Sequence, residues 1–261
     1  MITAGEKLRI ARMNHRPGGV DYIKKLIDLP IELHGDRRFG DDPAIVGGIG
    51  MLNGIPVTYI TTDKGADLSE RIERNFGCPK PEGYRKAMRL MRQAEKFQRP
   101  VICFVDTQGA WCGADAEERG QGEAIAESIL GMMGLKTPVI TILTGEGGSG
   151  GALALAAADR VYMLENAIYS VISPEGCASI LWKDSSRVND AAEALHITAQ
   201  DMKELGVADG IIAEDFENFD AMCANIRDIL TSELAKLTRV SGELLAQGRY
   251  ERFRKFGIFE K

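Results

Sequence analysis

Residues 145–176 read GEGGSGGALALAAADRVYMLENAIYSVISPEG, and the reading of the first seven decides the fold. They follow the apolar run at 138–144 (PVITILT) and precede the alanine-rich ALALAAAD, which gives the order strand, glycine loop, helix. The same order occurs once before: VICFVD from Val101, then TQGAWCGADAEERGQG, then EAIAESILGMM. A third, shorter strand pair, RVYML and IYSVI, leads into SPEGCASILW. Such repetition predicts right-handed crossovers with strands buried on both faces, hence their continuous apolar runs. The expected class is α/β.

Outward from this centre the pattern changes. Upstream, Ala44–Gly50 and Ile55–Thr61 predict two antiparallel strands joined at Asn53-Gly54, a hairpin turn pair. Residues 1–35 predict helix, with apolar positions at helical spacing in LRIAR and VDYIKKLIDLPIELHG. GADLSERIERNFG reads as a charged loop. In EGYRKAMRLMRQAEKF, from Glu82, the residues Ala87, Leu90, Met91 and Ala94 form one face of an amphipathic helix that Pro100 stops. Downstream, NDAAEALHITAQDMKELGVADGIIAEDF predicts helices flanking a short strand, and FDAMCANIRDILTSELAKL a long helix. With no low-complexity linker, one domain over 1–261 is expected: a helical segment at 1–40, a core at 41–215 and a helical segment at 216–261.

The 261 residues are 44% hydrophobic and 27% charged, enough apolar material for a core. A net charge of -6 offers no basic field for a phosphate backbone, so no nucleic-acid partner is expected. Neither a signal-peptide pattern nor a membrane-length apolar run is found, and a soluble, cytoplasmic protein is expected. The cysteines, Cys78, Cys103, Cys112, Cys177 and Cys223, are odd in number and include no C-x-x-C pair. They read as reduced thiols, and no metal site is expected.

The glycine loop satisfies G-x-G-x-x-G, and Glu165 stands where a ribose-binding acid would be. Against dinucleotide binding, the loop lies past mid-chain and its helix is short. A Walker loop fails because Gly151 occupies the lysine position. Residues Gly147–Gly151 also match G-x-S-x-G around Ser149, but His196 is the only downstream histidine and sits in a helical segment. His15 and His34 likewise accompany no nucleophile motif. What survives is physical: glycines at a helix start leave backbone N–H groups unshielded, with the helix dipole adding positive potential. That arrangement stabilises an oxyanion, and five glycines in seven residues argue for more than close packing. Gly109, Ala110 and Gly113 form a similar loop after Asp106, so the expected cavity is lined by amides. Lys64, Arg71 and Arg74 are either solvated surface or contacts for an anionic ligand. Glu117, Glu118 and Glu123 complement a helix start.

Five stretches carry a resemblance: ELHGDRRFGDDPAIVGGIG, NFGCPKPEGYRKAMRLMRQAEKF, DTQGAWCGADAEERGQGEAIA, GEGGSGGALAL and YSVISPEGCASILWKD. Across about residues 9–237 the chain resembles the carboxyltransferase alpha subunits of bacterial acetyl-CoA carboxylase. The resemblance implies a crotonase/ClpP-like fold of repeated ββα units with flanking N- and C-terminal helices. It implies transfer of a carboxyl group from carboxybiotin, held on a biotin carboxyl carrier protein, to acetyl-CoA, forming malonyl-CoA for fatty-acid synthesis. The implied partner is a zinc-bearing beta subunit in an α2β2 assembly, which holds most of the acyl-CoA. The family's oxyanion hole falls on the amides of Gly150 and Gly151, with Gly147, Gly148, Ser149, Gly109 and Ala110 around the carboxybiotin.

Some positions depart from the family pattern. G-H-Q-K-G is replaced by Thr61–Gly65 (TTDKG), D-T-P-G-A-Y by Asp106–Trp111 (DTQGAW), a glycine by Asp115, and a proline with G-G-A-H by Ala213–Asn218 (AEDFEN). These motivate two alternatives: a biotin-dependent carboxyltransferase or decarboxylase for another acyl-CoA, and a non-catalytic paralogue that pairs with a beta-like chain.

Overall fold

The computed structural model describes residues 2–257, so Met1 and the last four positions of the 216–261 segment lie outside the described residues. The strands are β1 (Asp28–Glu32), β2 (Ile45–Leu52), β3 (Ile55–Thr62), β4 (Val101–Thr107), β5 (Val139–Gly148), β6 (Arg160–Leu164), β7 (Ile168–Ser170) and β8 (Gly210–Ile212). Helices before β4 are α1 (Ala4–Ala11), α2 (Gly19–Leu26), α3 (Leu68–Glu73) and α4 (Pro81–Lys96). Between β4 and β8 come α5 (Ala114–Glu118), α6 (Gln121–Gly134), α7 (Ser149–Leu153), α8 (Pro174–Trp182), α9 (Val188–Ala194) and α10 (Ala199–Glu204). The chain continues through α11 (Phe219–Leu237) and α12 (Gly242–Arg254).

Among the described residues one sheet runs β1-β2-β3-β4-β5-β6-β8. Its first three strands are antiparallel and β3 onward is parallel. The expected hairpin is present: Leu52 pairs with Ile55 across Asn53 and Gly54, both at positive φ (47° and 74°), as a primed turn requires. Both β4 and the first nine residues of β5 are buried, as their apolar runs demanded. Strand–strand–helix order recurs in β2–β3–α4 and β6–β7–α8, around the single-strand units β4–α6 and β5–α7.

Three expectations are corrected. Residues 28–32 are a strand, not helix: Pro30 has no N–H to continue α2, and the open edge of β2 pairs with Ile31 and Glu32 instead. Within the charged loop, Asp67 accepts from the Glu70 amide at 2.9 Å and starts α3. The pair RVYML and IYSVI do not pair with each other; β6 lies along the first half of β5 and β7 along its last three residues.

The apolar faces meet in one large cluster. In it α4 packs on α6, β2 and β3, while α2 packs on β3, β4 and α11. Tyr22 stacks on Phe104 at 5.5 Å and meets Phe219 edge-on. The fully buried Arg249 ties α12 to this body. It donates to Asp159 Oδ1 at 2.9 Å and to the carbonyls of Met132 and Leu135 at the end of α6.

Candidate functional site

The two glycine segments leave the ends of neighbouring strands β4 and β5. After β4 the first is held by side chains: Thr107 Oγ1 donates to the Gly109 carbonyl at 2.9 Å and accepts from its amide at 3.1 Å. Gly109 has φ of 143°, open only to glycine. Beyond it, the Trp111 amide donates to Pro79 O at 2.9 Å, and Gln121 Nε2 donates to both Pro79 O and Trp111 O at 2.8 Å.

The second segment is not a loop. Residues 145–148 belong to β5, with Glu146, Gly147 and Gly148 paired to Ile168, Tyr169 and Ser170 of β7. The chain turns only at Ser149, whose φ of 50° is a left-handed conformation costing on the order of 1 kcal/mol for a non-glycine residue. At once α7 begins, with no side chain capping it. Among the described residues the amides of Gly150 and Gly151 donate no hydrogen bond.

Space explains most of the glycines. A Cβ would lie 2.3 Å from Asp106 Oδ1 at Gly145, 2.6 Å from Leu143 Cδ2 at Gly147, and 2.0 Å from Gln108 O at Gly148. At Gly151 it would lie 2.5 Å from the Ala110 nitrogen and 2.7 Å from Tyr84 Oη. Only Gly150, 3.3 Å from Ile125 Cγ2, has room for a yielding neighbour. Contrary to the sequence expectation, close packing accounts for four of the five; it presses the start of α7 onto Gly109–Ala110.

Five of the expected residues, Gly109, Ala110, Gly147, Gly148 and Ser149, line one cleft of about 290 Å³. Gly150 instead lines, with Ser149, an adjoining apolar groove of about 410 Å³ walled by Leu153, Val171 and Phe253. Gly151 is buried at the junction with Ala110. The N-terminus of α7 therefore divides a polar cleft from an apolar groove.

Beneath it runs a chain of charges. Asp106 Oδ1 accepts from the Glu146 amide at 2.7 Å and from Lys64 Nζ at 2.6 Å. Arg12 bridges Glu146 Oε2 (2.9 Å) and Glu175 Oε1 (2.5 Å), joining α1, β5 and α8. Sequence reasoning missed this network. Glu146 stood inside the quoted stretch, but its partner Arg12 is 134 residues away with no local signal. Tyr84 was missed likewise: its hydroxyl is buried at the junction with no hydrogen-bond partner among the described residues, and burial raises its pKa so that it stays neutral. Asp42, pushed up to about 6 by burial, accepts from the Ala44 and Lys80 amides and braces the segment under Trp111.

Four of the residues that depart from the family pattern, Thr62, Asp63, Asp115 and Glu214, prove to be braces. Asp63 accepts from the Val20 and Gly65 amides, Thr62 Oγ1 from the Asp106 amide, and Glu214 from Arg16 and Asn166. Asp115 sits between Lys80 (3.4 Å) and Arg119 (3.3 Å). Of the basic residues, Lys64 joins the network, Arg71 bonds Asn14, and Arg74 bonds Pro43 O. His196 has Asp201 as its charged partner at 3.6 Å and makes no contact with Ser149, so no hydrolase relay forms there. Among the described residues no group of three His, Cys, Asp or Glu side chains is placed to hold a metal, and no helix is long and apolar enough to cross a membrane.

The mixed sheet and its interleaved helices have the crotonase-like fold that carboxyltransferases share. The chain superposes on transcarboxylase 12S with a TM-score of 0.73 at 19% identity, covering 92% of this chain and 46% of that one. It also superposes on the beta subunit of P. aeruginosa geranyl-CoA carboxylase, with a TM-score of 0.67 at 16% identity, covering 92% and 46%. In sequence, residues 1–257 match the family described as acetyl co-enzyme A carboxylase carboxyltransferase-like, and the chain belongs to that family. The acetyl-coenzyme A carboxylase carboxyl transferase subunit alpha of Ruminiclostridium cellulolyticum is 54% identical over 257 residues, 98% of this chain and 99% of the relative. That of Clostridium acetobutylicum is 55% identical over 262 residues, 99% and 96%. In Natranaerobius thermophilus a beta/alpha protein is 53% identical over 262 residues, 99% of this chain and 43% of its own length.

Proposed function

We propose that this chain is the alpha half of an acetyl-CoA carboxylase carboxyltransferase, moving a carboxyl group from carboxybiotin on a separate carrier protein to acetyl-CoA. The observation that carries the reading is the uncapped start of α7. There Gly150 and Gly151 offer unpaired amides, held against Gly109–Ala110 by contacts that tolerate no Cβ at Gly148 or Gly151. Carboxybiotin supplies the carboxyl group and, once that is lost, a basic ureido nitrogen. What the chain must supply is then stabilisation of negative charge on oxygen rather than an acid and a base. Fixed backbone donors do this with little reorganisation, because the clash distances press the start of α7 onto Gly109–Ala110 and the Arg12–Glu146–Lys64–Asp106 network holds the end of β5 that leads into it. Ser149 holds the turn that aims the helix start, and Gly147 and Gly148 line the cleft as smooth backbone.

The fused beta/alpha relative supports a beta partner, which in this reading is the zinc-bearing subunit. An α2β2 assembly in the cytoplasm completes the reading. The apolar groove beside Gly150 favours a second reading, in which a longer acyl-CoA is carboxylated. Malonyl-CoA formation by this chain purified with its cognate beta subunit, given carboxybiotin carrier and acetyl-CoA, tests the first. Activity in the mixture and in neither chain alone is expected; an assembled complex that carboxylates propionyl-CoA and not acetyl-CoA favours the second, and one that carboxylates neither overturns both.

A further inference from the structure

Two of the five cysteines line the polar cleft, Cys78 and Cys112. Cys103, Cys177 and Cys223 are buried. Cys112 is exposed and Cys78 half-buried, so a thiol reagent in solution meets Cys112 first. Their segments are laced together: Cys78 precedes Pro79 and Cys112 follows Trp111, the two residues joined by the 2.9 Å amide bond and by the forked donation from buried Gln121. Both side chains border one cleft of about 290 Å³, and the lacing keeps their two segments side by side there. The two side chains also share an environment, since a charge on Cys112 is felt at Cys78.

We infer that Cys78 and Cys112 are a modification site: a thiol pair that closes to a disulfide at the wall of the cleft and locks the two segments that form it. The reaction needs an oxidant, which is a low-molecular-weight disulfide such as oxidised glutathione. The Cys112 thiolate attacks one sulfur of the reagent, whose S–S bond breaks and releases one thiolate. Cys78 then loses its proton to solvent and attacks the mixed disulfide at Cys112 Sγ, expelling the second thiolate. Two protein thiols are oxidised and one reagent disulfide is reduced to two thiols. Burial pushes the Cys78 thiol up to about 11, so its thiolate is scarce and the second, intramolecular step depends on proximity to the mixed disulfide. The consequence lies in what the bridge fastens. Gly109 and Ala110 sit two or three residues before Cys112, and both cysteines already wall the cleft that the proposed function gives to carboxybiotin.

The test incubates the chain with oxidised glutathione, blocks free thiols with a maleimide, and maps peptides by mass spectrometry. Expected is a single Cys78–Cys112 link, reversed by a dithiol, with Cys103, Cys177 and Cys223 unlabelled until denaturation. A persistent glutathione adduct on Cys112 with Cys78 free to label would overturn the pair, as would linkage to a third cysteine. In complex with the beta chain, oxidation is expected to lower carboxyl transfer at least about tenfold, as displaced cleft residues would, with full recovery on reduction. C112S should lose no activity on oxidation relative to its own reduced state, while C78S should keep a glutathione adduct on Cys112 and form no link. A quantitatively formed link with activity intact would overturn the gating. This role rests on the carboxyltransferase reading, but the mapping does not: a reduced complex with no activity would count against that reading alone.

Discussion

The segments after β4 and β5 both bring bare backbone to the same junction, by opposite means. The β4 segment is irregular, and Thr107, Gln121 and the Trp111–Pro79 bond hold it. By contrast, the β5 segment is regular up to Gly148, turns on one strained serine and is already helix, held by the absence of side chains. One is fixed by what its neighbours donate, the other by what its own residues lack. Glycine therefore means different things at the two: backbone freedom at Gly109, and proximity at Gly145, Gly148 and Gly151.

That contrast ranks the substitutions. Gly148→Ala strikes backbone 2.0 Å away, which no rotamer change relieves, and it is expected to cost roughly 3 kcal/mol or more. Urea unfolding reads this directly; a loss under about 1 kcal/mol would mean the segments are less tightly pressed. Gly150 stands apart as the one glycine of the five that packing does not demand. Gly150→Pro removes one of the two free amides and should lower the rate of carboxyl transfer about 10²–10³-fold, while Gly150→Ala, which keeps the amide, stays near wild type. Equal activity of the two variants, in the assembled complex, would end the oxyanion assignment at this position.

Smaller effects belong to the β4 segment. Thr107→Val loses both bonds to Gly109, and about 1 kcal/mol of stability with a several-fold drop in kcat is expected. Were kcat unchanged, the β4 segment would be scaffold only. At the junction, Tyr84→Phe deletes a buried hydroxyl that has no partner, so the melting temperature should hold or rise by a degree or two. A fall of several degrees would show that the hydroxyl is bonded in solution.

The alternation of strand and helix was legible because apolar runs and turn residues are local signals: the 53–54 turn, β4, α4 and α11 lie close to where the sequence puts them. Residues 28–32 were not, since helical spacing of apolar residues says nothing about an unfilled sheet edge. The glycine cluster was legible as a special place and misread as a loop. A strand of glycines carries no strand propensity, and only β7, twenty residues on, completes its pairing.

By itself, then, the chain's order of residues determined the α/β class, the family, and the position of the amide-rich centre, because each is written in contiguous motifs. Tertiary structure alone decided which glycines are packing and which are free, that Arg12 and Glu214 close ion pairs with partners more than a hundred residues away, and that α7 separates a polar cleft from an apolar groove. Those are statements about distance between segments remote in sequence. Such distances are set by how the sheet and helices pack together, which no single stretch of chain encodes.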